Sequence, residues 1–233
     1  MYIEGRSSRR IKVNMKIGFD IGAYQGSFTD FLLKNGASKV FTFEPNTNLY
    51  RALTEKYKNN DKVKVYNCLV GDKNEKKKFY LAKQHHTIST ACEDFVKKSR
   101  FSNKADENNV PYAWNDPIEM DCYKLDTIFK NVGVPDFIKI DVEGFEYEVI
   151  SGISKIENPV TLVFEIQEEL IHKTKKCFEH LNNIGFKKFQ FIEDDIFNGL
   201  PDSYIKYSEL KTKMEDTFPS STGEFFGTGI AKY

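Results

Sequence analysis

Long apolar runs are missing from this chain. None approaches the roughly 18 residues that a membrane-crossing helix needs, so no span is expected. A surplus of one charge is missing too: lysine and arginine total 34, and aspartate and glutamate total 34, among 233 residues. A protein built to displace counterions from nucleic acid ordinarily carries a basic excess, so no nucleic-acid partner is expected. Cysteine is scarce. Cys68, Cys92, Cys122 and Cys177 form no CxxC pair and lie at no zinc-finger spacing from a histidine. This argues against a disulfide framework and for free thiols in a reducing, cytoplasmic compartment. The N-terminus lacks the apolar core of a signal peptide. Ile3-Glu4-Gly5-Arg6 has instead the form of an engineered protease-cleavage site. Residues 1–14 are therefore set apart as an N-terminal extension and excluded from fold reasoning.

The whole chain is 40% hydrophobic, enough for one sizeable core. The expectation is a single domain over residues 15–233, with insertions at about 83–117 and 193–224. Lys16–Ile21 is a short apolar run that stops at a glycine turn, the pattern of a buried strand. Phe28, Phe31 and Leu32 then recur at helical spacing until Asn35-Gly36. Lys39–Phe43 predicts a second strand, 46–58 a helix, and Val63–Tyr66 a third strand. Strand, helix, strand, helix, strand in this order predicts parallel strands joined by right-handed crossovers. Further on, strands are expected at 75–82, 120–123, 136–141, 160–166, 187–192 and 225–231, with helices over 125–129, after 144, and over 171–183. The insertion at 83–117 is polar and weakly periodic, as a lid would be, and 193–224 is a second candidate cover.

The chemistry-bearing pattern begins with Asp20-Ile21-Gly22-Ala23-Tyr24-Gln25-Gly26, placed between strand and helix. Glycines there let the backbone turn tightly and approach a ligand at a helix N-terminus. Glu44 ends the next strand, where a carboxylate can accept hydrogen bonds from ribose hydroxyls. The dinucleotide fingerprint G-x-G-x-x-G is incomplete: Ala23 occupies the place next to Gly22 and the middle glycine is missing. An acid just before the turn suits the α-amino group of a methionine moiety and would repel a pyrophosphate. This favours S-adenosylmethionine over NAD, leaving an NAD-dependent oxidoreductase as the rival from another class. A binding module that has lost catalysis is a third reading.

At these residues the sequence resembles the FkbM family of class I methyltransferases, over roughly residues 16–192. The marks are Phe19-Asp20-Ile21-Gly22-Ala23 with Gly26, Phe43-Glu44-Pro45, Asn67 with Gly71-Asp72, and Val163-Phe164-Glu165. The most specific is Asp136-Phe137-Ile138-Lys139-Ile140-Asp141-Val142-Glu143-Gly144-Phe145-Glu146. The resemblance implies a Rossmann-like α/β fold: a seven-stranded, mostly parallel sheet with an antiparallel last strand and helices on both faces. It implies an S-adenosylmethionine-dependent O-methyltransferase acting on a hydroxyl of a sugar or glycan. The alternative is O- or N-methylation of a non-sugar small metabolite. Carried over residue by residue, Asp20, Gly22, Ala23 and Gly26 would hold the methionine part and Glu44 the ribose. Asn67 would lie near the adenine, and Ser89 would touch the cofactor.

Asp141, Glu143 and Glu165 end strands four and five, at the carboxyl edge where open α/β sheets bind ligands. An alcohol needs its proton removed by a base, or acidified by a metal. Asp141 and Glu165 are therefore expected to bind Mg or Mn or to act directly on the hydroxyl, carboxylates being suitable ligands for either ion. Glu146 is expected to serve the start of its helix. His86, beside His85, is a further candidate base, and Tyr112 and Trp114 either stack on a sugar or anchor the insertion. The acceptor and the oligomeric state are not set by these patterns.

Overall fold

The computed structural model describes residues 15–193, 200–218 and 226–233; the extension expected at 1–14 lies outside them. Three apolar runs form β1 (Ile17–Ile21), β2 (Lys39–Phe43) and β3 (Val63–Tyr66), connected by α1 (Ser27–Lys34) and α2 (Thr47–Tyr57). Asn46 begins α2 with its side chain accepting from the N–H groups of Asn48 and Leu49, which satisfies donors that a helix start leaves open. There follow β4 (Leu69–Gly71), β5 (Glu75–Phe79), α3 (Glu93–Lys98), β6 (Ile118–Lys124), α4 (Leu125–Val132) and β7 (Phe137–Ile140). The chain continues through α5 (Glu146–Ser151), β8 (Thr161–Gln167), α6 (Ile171–Asn183), β9 (Lys188–Ile192), α7 (Tyr207–Thr217) and β10 (Phe226–Lys232).

Seven strands form one sheet in the order β3-β2-β1-β7-β8-β10-β9. All run parallel except β10, which is antiparallel to both its neighbours. Strands buried on two faces are apolar on both. Phe19, Phe41 and Phe164 join one core cluster together with α4 and α6, while Val40, Phe137 and Val163 join α1 through Phe28 and Leu32. The expected fold class is therefore the observed one. The strand order reverses between β1 and β7, and the crevice outside the carboxyl ends at such a point is where α/β sheets bind ligands. A separate three-stranded sheet, β4-β6-β5, flanks that crevice.

Both insertions differ from open covers. Residues 83–117 contain α3 and are anchored by fully buried Phe95, against which the rings of Phe101 and Trp114 pack. Tyr112 meets Phe101 edge-on, and the Trp114 indole N–H donates to the Ile88 carbonyl. These aromatics anchor the segment and do not form a free stacking platform. In the second insertion α7 buries Leu210 and Met214, and Ile205 bridges to Phe189 of β9. Its described part thus packs on the far edge of the sheet, and 194–199 and 219–225 lie outside the described residues.

Candidate active site

The loop after β1 is shaped by backbone geometry. Gly22 has φ +75°, and a Cβ there would fall 1.8 Å from the Asp141 carbonyl oxygen, so the loops after β1 and β7 touch at a point only glycine permits. The N–H groups of Gly22 and Ala23 both donate to the Phe43 carbonyl, tying this loop to the end of β2. Tyr24, itself at φ +50°, donates its N–H to Glu44 Oε2 at 2.8 Å. Glu44 is 5% exposed, and its Oε1 accepts from the Asn46 N–H at 2.8 Å. Burial pushes its carboxyl up to about 7, against the downward pull of those two N–H groups.

A cavity of about 310 Å³ opens over this edge, within the size range of small-molecule sites. Gly22, Tyr24 and Glu44 line one end with Leu49, Cys68 and Leu69; Asp141, Glu143, Glu165, His86, Ser89 and Arg100 also line it. A second cavity of about 240 Å³ shares Gly22, Tyr24, Asp141, Glu165 and Phe226 and adds Ala23 and Lys139. The glycine turn, Glu44 and the three carboxylates, widely separated in sequence, thus meet around one crevice.

Three expected cofactor contacts are placed elsewhere. Asp20 is fully buried, because strand alternation turns it towards α1. Its Oδ2 accepts from Thr29 Oγ1 at 2.7 Å, and its Oδ1 lies 3.5 Å from Lys139 Nζ. It lines neither cavity, so its charge supports the loop from beneath and is not presented to a cationic tail. Asn67 donates from Nδ2 to the carbonyls of Glu44 and Pro45. It braces that turn, and the neighbouring Cys68 and Leu69 line the cavity. Gly26, at φ +80°, begins α1, where a Cβ would sit 2.6 Å from the Tyr57 hydroxyl; its role is close packing against α2.

The carboxylates after β7 and β8 form the polar centre. Oxygen atoms of Asp141, Glu143 and Glu165 all lie within 4.8 Å of one another. Gln167 Nε2 donates to Glu143 Oε2 at 2.9 Å and to Glu165 Oε2 at 2.7 Å. Burial first, then repulsion by Asp141 and Glu146, holds the Glu143 carboxyl well above the usual carboxylate range. Burial first, then Glu143 and Asp141, does the same for Glu165. Crowded half-buried acids of this kind gain from a shared proton or a cation. Three carboxylate ligands suit Mg or Mn, so the donor set fits such an ion. Glu143 is held at φ +56°, a conformation rare outside glycine. Thr90 Oγ1 donates to its carbonyl, and Glu146 accepts from the N–H groups of Val142 and Gly144. Glu146 therefore closes the loop that enters α5.

His86 Nδ1 lies 3.2 Å from the Ala82 carbonyl. A proton on Nδ1 satisfies that contact and leaves Nε2 basic. Ser89 Oγ accepts from the Ala82 N–H at 3.1 Å, keeping its O–H as a donor. His85 instead packs on the Tyr112 ring and faces Asp106 at 3.6 Å.

Lys139 had no role assigned from sequence, although a lysine inside an apolar strand is a signal in itself. Its Nζ donates to the Gly22 carbonyl at 2.7 Å and lies 3.3 Å from Asp141 Oδ2 as well as near Asp20. Burial alone would push this ammonium down, but Asp141 and then Asp20 hold it above the usual lysine range. One cation thus links the loop after β1 to the loop after β7.

A family model described as the methyltransferase FkbM domain matches residues 20–192. No curated protein sequence matches the chain. Among solved structures, the FkbM methyltransferase from Methylobacillus flagellatus is 15% identical, with a TM-score of 0.45, over 94% of this chain and 43% of that one. The chain therefore spans less than half the length of that protein. The ribosomal protein L11 methylase from Lactobacillus delbrueckii subsp. bulgaricus is 10% identical, with a TM-score of 0.47, over 96% of this chain and 72% of its own. TYW2 from M. jannaschii, in complex with AdoMet, is 12% identical, with a TM-score of 0.42, over 96% and 70%.

Proposed function

The chain belongs to the FkbM family of methyltransferases, and on that premise we propose that it transfers the methyl group of S-adenosylmethionine to a hydroxyl oxygen of a sugar or glycan. The observation that carries the reading is the single cavity that joins Glu44 and Gly22 to Asp141, Glu143 and Glu165. Glu44 receives the ribose hydroxyls: its two oxygens each accept one backbone N–H and keep lone pairs for further donors. Leu49, Cys68 and Leu69 offer an apolar surface to the adenine ring. The loop from Gly22 to Tyr24, carried on Lys139 and Asp20, receives the methionine part. Ser89, with a free O–H to donate, faces the same cavity.

S-adenosylmethionine supplies an electrophilic sulfonium methyl, displaced in line by the acceptor oxygen, so positioning accounts for much of the rate. The C–S bond breaks as the C–O bond forms, and the hydroxyl proton leaves to a base. Asp141 is that base in this reading: it lies at the cavity and is charge-balanced by Lys139. His86 is the second candidate through Nε2. In the alternative arrangement Asp141, Glu143 and Glu165 would instead hold Mg or Mn, whose chemistry would be to acidify the hydroxyl. The carboxylate spacing is compatible with that alternative.

The test is incubation with labelled methyl donor and a panel of sugars, amino compounds and non-sugar hydroxyl metabolites, followed by mass spectrometry of the products. Asp141→Ala is expected to lower turnover by roughly 10²–10⁴-fold while S-adenosylhomocysteine still binds. Near-normal turnover would remove Asp141 from the chemistry, and a label found only on nitrogen or on non-sugar metabolites would replace the acceptor class. Turnover lost in EDTA and restored by Mg or Mn is the outcome expected if the three acids hold a metal; turnover unchanged in EDTA removes that role.

A further inference from the structure

The cavity contains a cation that pulls on Glu143 and Glu165 through space but forms no ion pair with either. Arg100 lies two residues beyond the end of α3, and its backbone is fixed: its N–H donates to Glu169 Oε1 at 3.0 Å, and next to it Phe101 is wedged between Phe95 and Tyr112. Its guanidinium carbon lies 5.1 Å from the Phe101 ring centre and 5.3 Å from that of Phe226. Two aromatic faces hold the planar group in place through cation–π attraction. Among the described residues it makes no ion pair and donates no side-chain hydrogen bond, yet it lines the cavity. A guanidinium presents five N–H donors in a fork that matches a carboxylate or phosphate. Glu143 and Glu165 attract it only at a distance, so a half-buried fork, immobilised by aromatics and without a directly bonded acceptor, is a preorganised anion receptor.

Its place in the sheet decides whose anion it takes. Phe226 pairs with Gln167 in the β8–β10 register, two positions from the pair Thr228 and Glu165. Glu44 and Cys68 lie at the opposite wing, beyond β2 and β3. Arg100 is thus on the acceptor's side of the carboxylates. We infer that Arg100 binds an anionic substituent of the acceptor, a carboxylate or a phosphate, so that the substrate class is an acidic or phosphorylated sugar. Glu143 and Glu165 repel such a group, which confines it to the Arg100 end and leaves the neutral hydroxyl at the acids. The identification of the ligand as a methyl acceptor rests on the function proposed above; the anion site itself rests on Arg100 and its two rings.

The experiment is calorimetric titration of wild type, Arg100→Gln and Arg100→Lys, each with and without saturating S-adenosylhomocysteine. The probes are glucuronate, glucose 6-phosphate, inorganic phosphate and glucose. Wild type is expected to bind at least one anion about tenfold or more tighter than glucose; which anion wins separates carboxylate from phosphate. Arg100→Gln is expected to abolish that preference and Arg100→Lys to retain part of it, with S-adenosylhomocysteine affinity unchanged in both. Equal binding of glucose and all anions, absence of any Arg100-dependent binding, or an anion preference that survives in Arg100→Gln overturns the inference. So does a parallel loss of S-adenosylhomocysteine affinity, which would assign Arg100 to the cofactor's own carboxylate. Arg100-dependent anion binding in a wild type that ignores S-adenosylhomocysteine would keep the anion site and remove the methyltransferase assignment.

Discussion

Glu44 carries the most explicit residue-level prediction. Its folded carboxyl is raised to about 7 from an ordinary 4.5. Between those values the folded chain holds a proton that the unfolded chain releases, so its contribution to stability is present below pH 4.5 and is lost as pH rises through 7. Ribose hydroxyls donate to the ionised form, so S-adenosylhomocysteine should bind tighter as pH rises from about 6 to 8, with proton release. Glu44→Gln is expected to weaken binding roughly 10- to 100-fold, the loss of charge-assisted hydrogen bonds, and to flatten the pH profile; a profile with the wild-type slope would contradict the assignment. Lys139 is the second case. Lys139→Met leaves Asp20 buried without its cation and should cost about 3–5 kcal/mol in urea unfolding. The double variant Asp20→Asn with Lys139→Met should recover much of that loss. Full stability of the single variant would show that the cation is dispensable.

At the scale of elements, the turn after β1 and the insertion around α3 make separable predictions. Gly22→Ala places a methyl group against the Asp141 carbonyl and strains a left-handed residue; it should cost at least about 1–2 kcal/mol and abolish S-adenosylhomocysteine binding. Phe95→Ala should destabilise by about 3–5 kcal/mol and expose residues 83–117 to limited proteolysis. Unchanged proteolysis would mean that the segment does not depend on this ring. The sheet was largely legible because its strands are apolar runs that stop at Gly, Pro or acidic turns: Lys39–Phe43, Val63–Tyr66 and the helix Ile171–Asn183 coincide with the elements observed. β4, α3 and α7 were not. β4 has three residues and a partner, β6, some fifty residues later. α3 has six residues held mainly by one buried ring. α7 is polar apart from a few inward residues such as Leu210 and Met214. The site divided in the same way. Gly22, Glu44 and the acids are marked by position at strand ends, whereas the inward turn of Asp20, the bracing by Asn67, the span of Lys139 and the rings around Arg100 are set by tertiary contacts.

At the scale of the whole molecule, the strand-order reversal between β1 and β7 opens one crevice between two wings of the sheet. The β1–β3 wing supplies a glycine turn, a buried acid and an apolar floor; the β7–β10 wing supplies three acids, and the insertion around α3 sets Arg100 beside Phe226 of β10. No helix among the described residues is long and apolar enough to cross a membrane, and the four cysteines are free and buried. The division of labour between the wings is tested most directly by calorimetry with S-adenosylhomocysteine and NAD on wild type and Glu44→Gln. The account predicts one site for S-adenosylhomocysteine, weakened in the variant, and no heat with NAD. Tight NAD binding with no response to S-adenosylhomocysteine would contradict it.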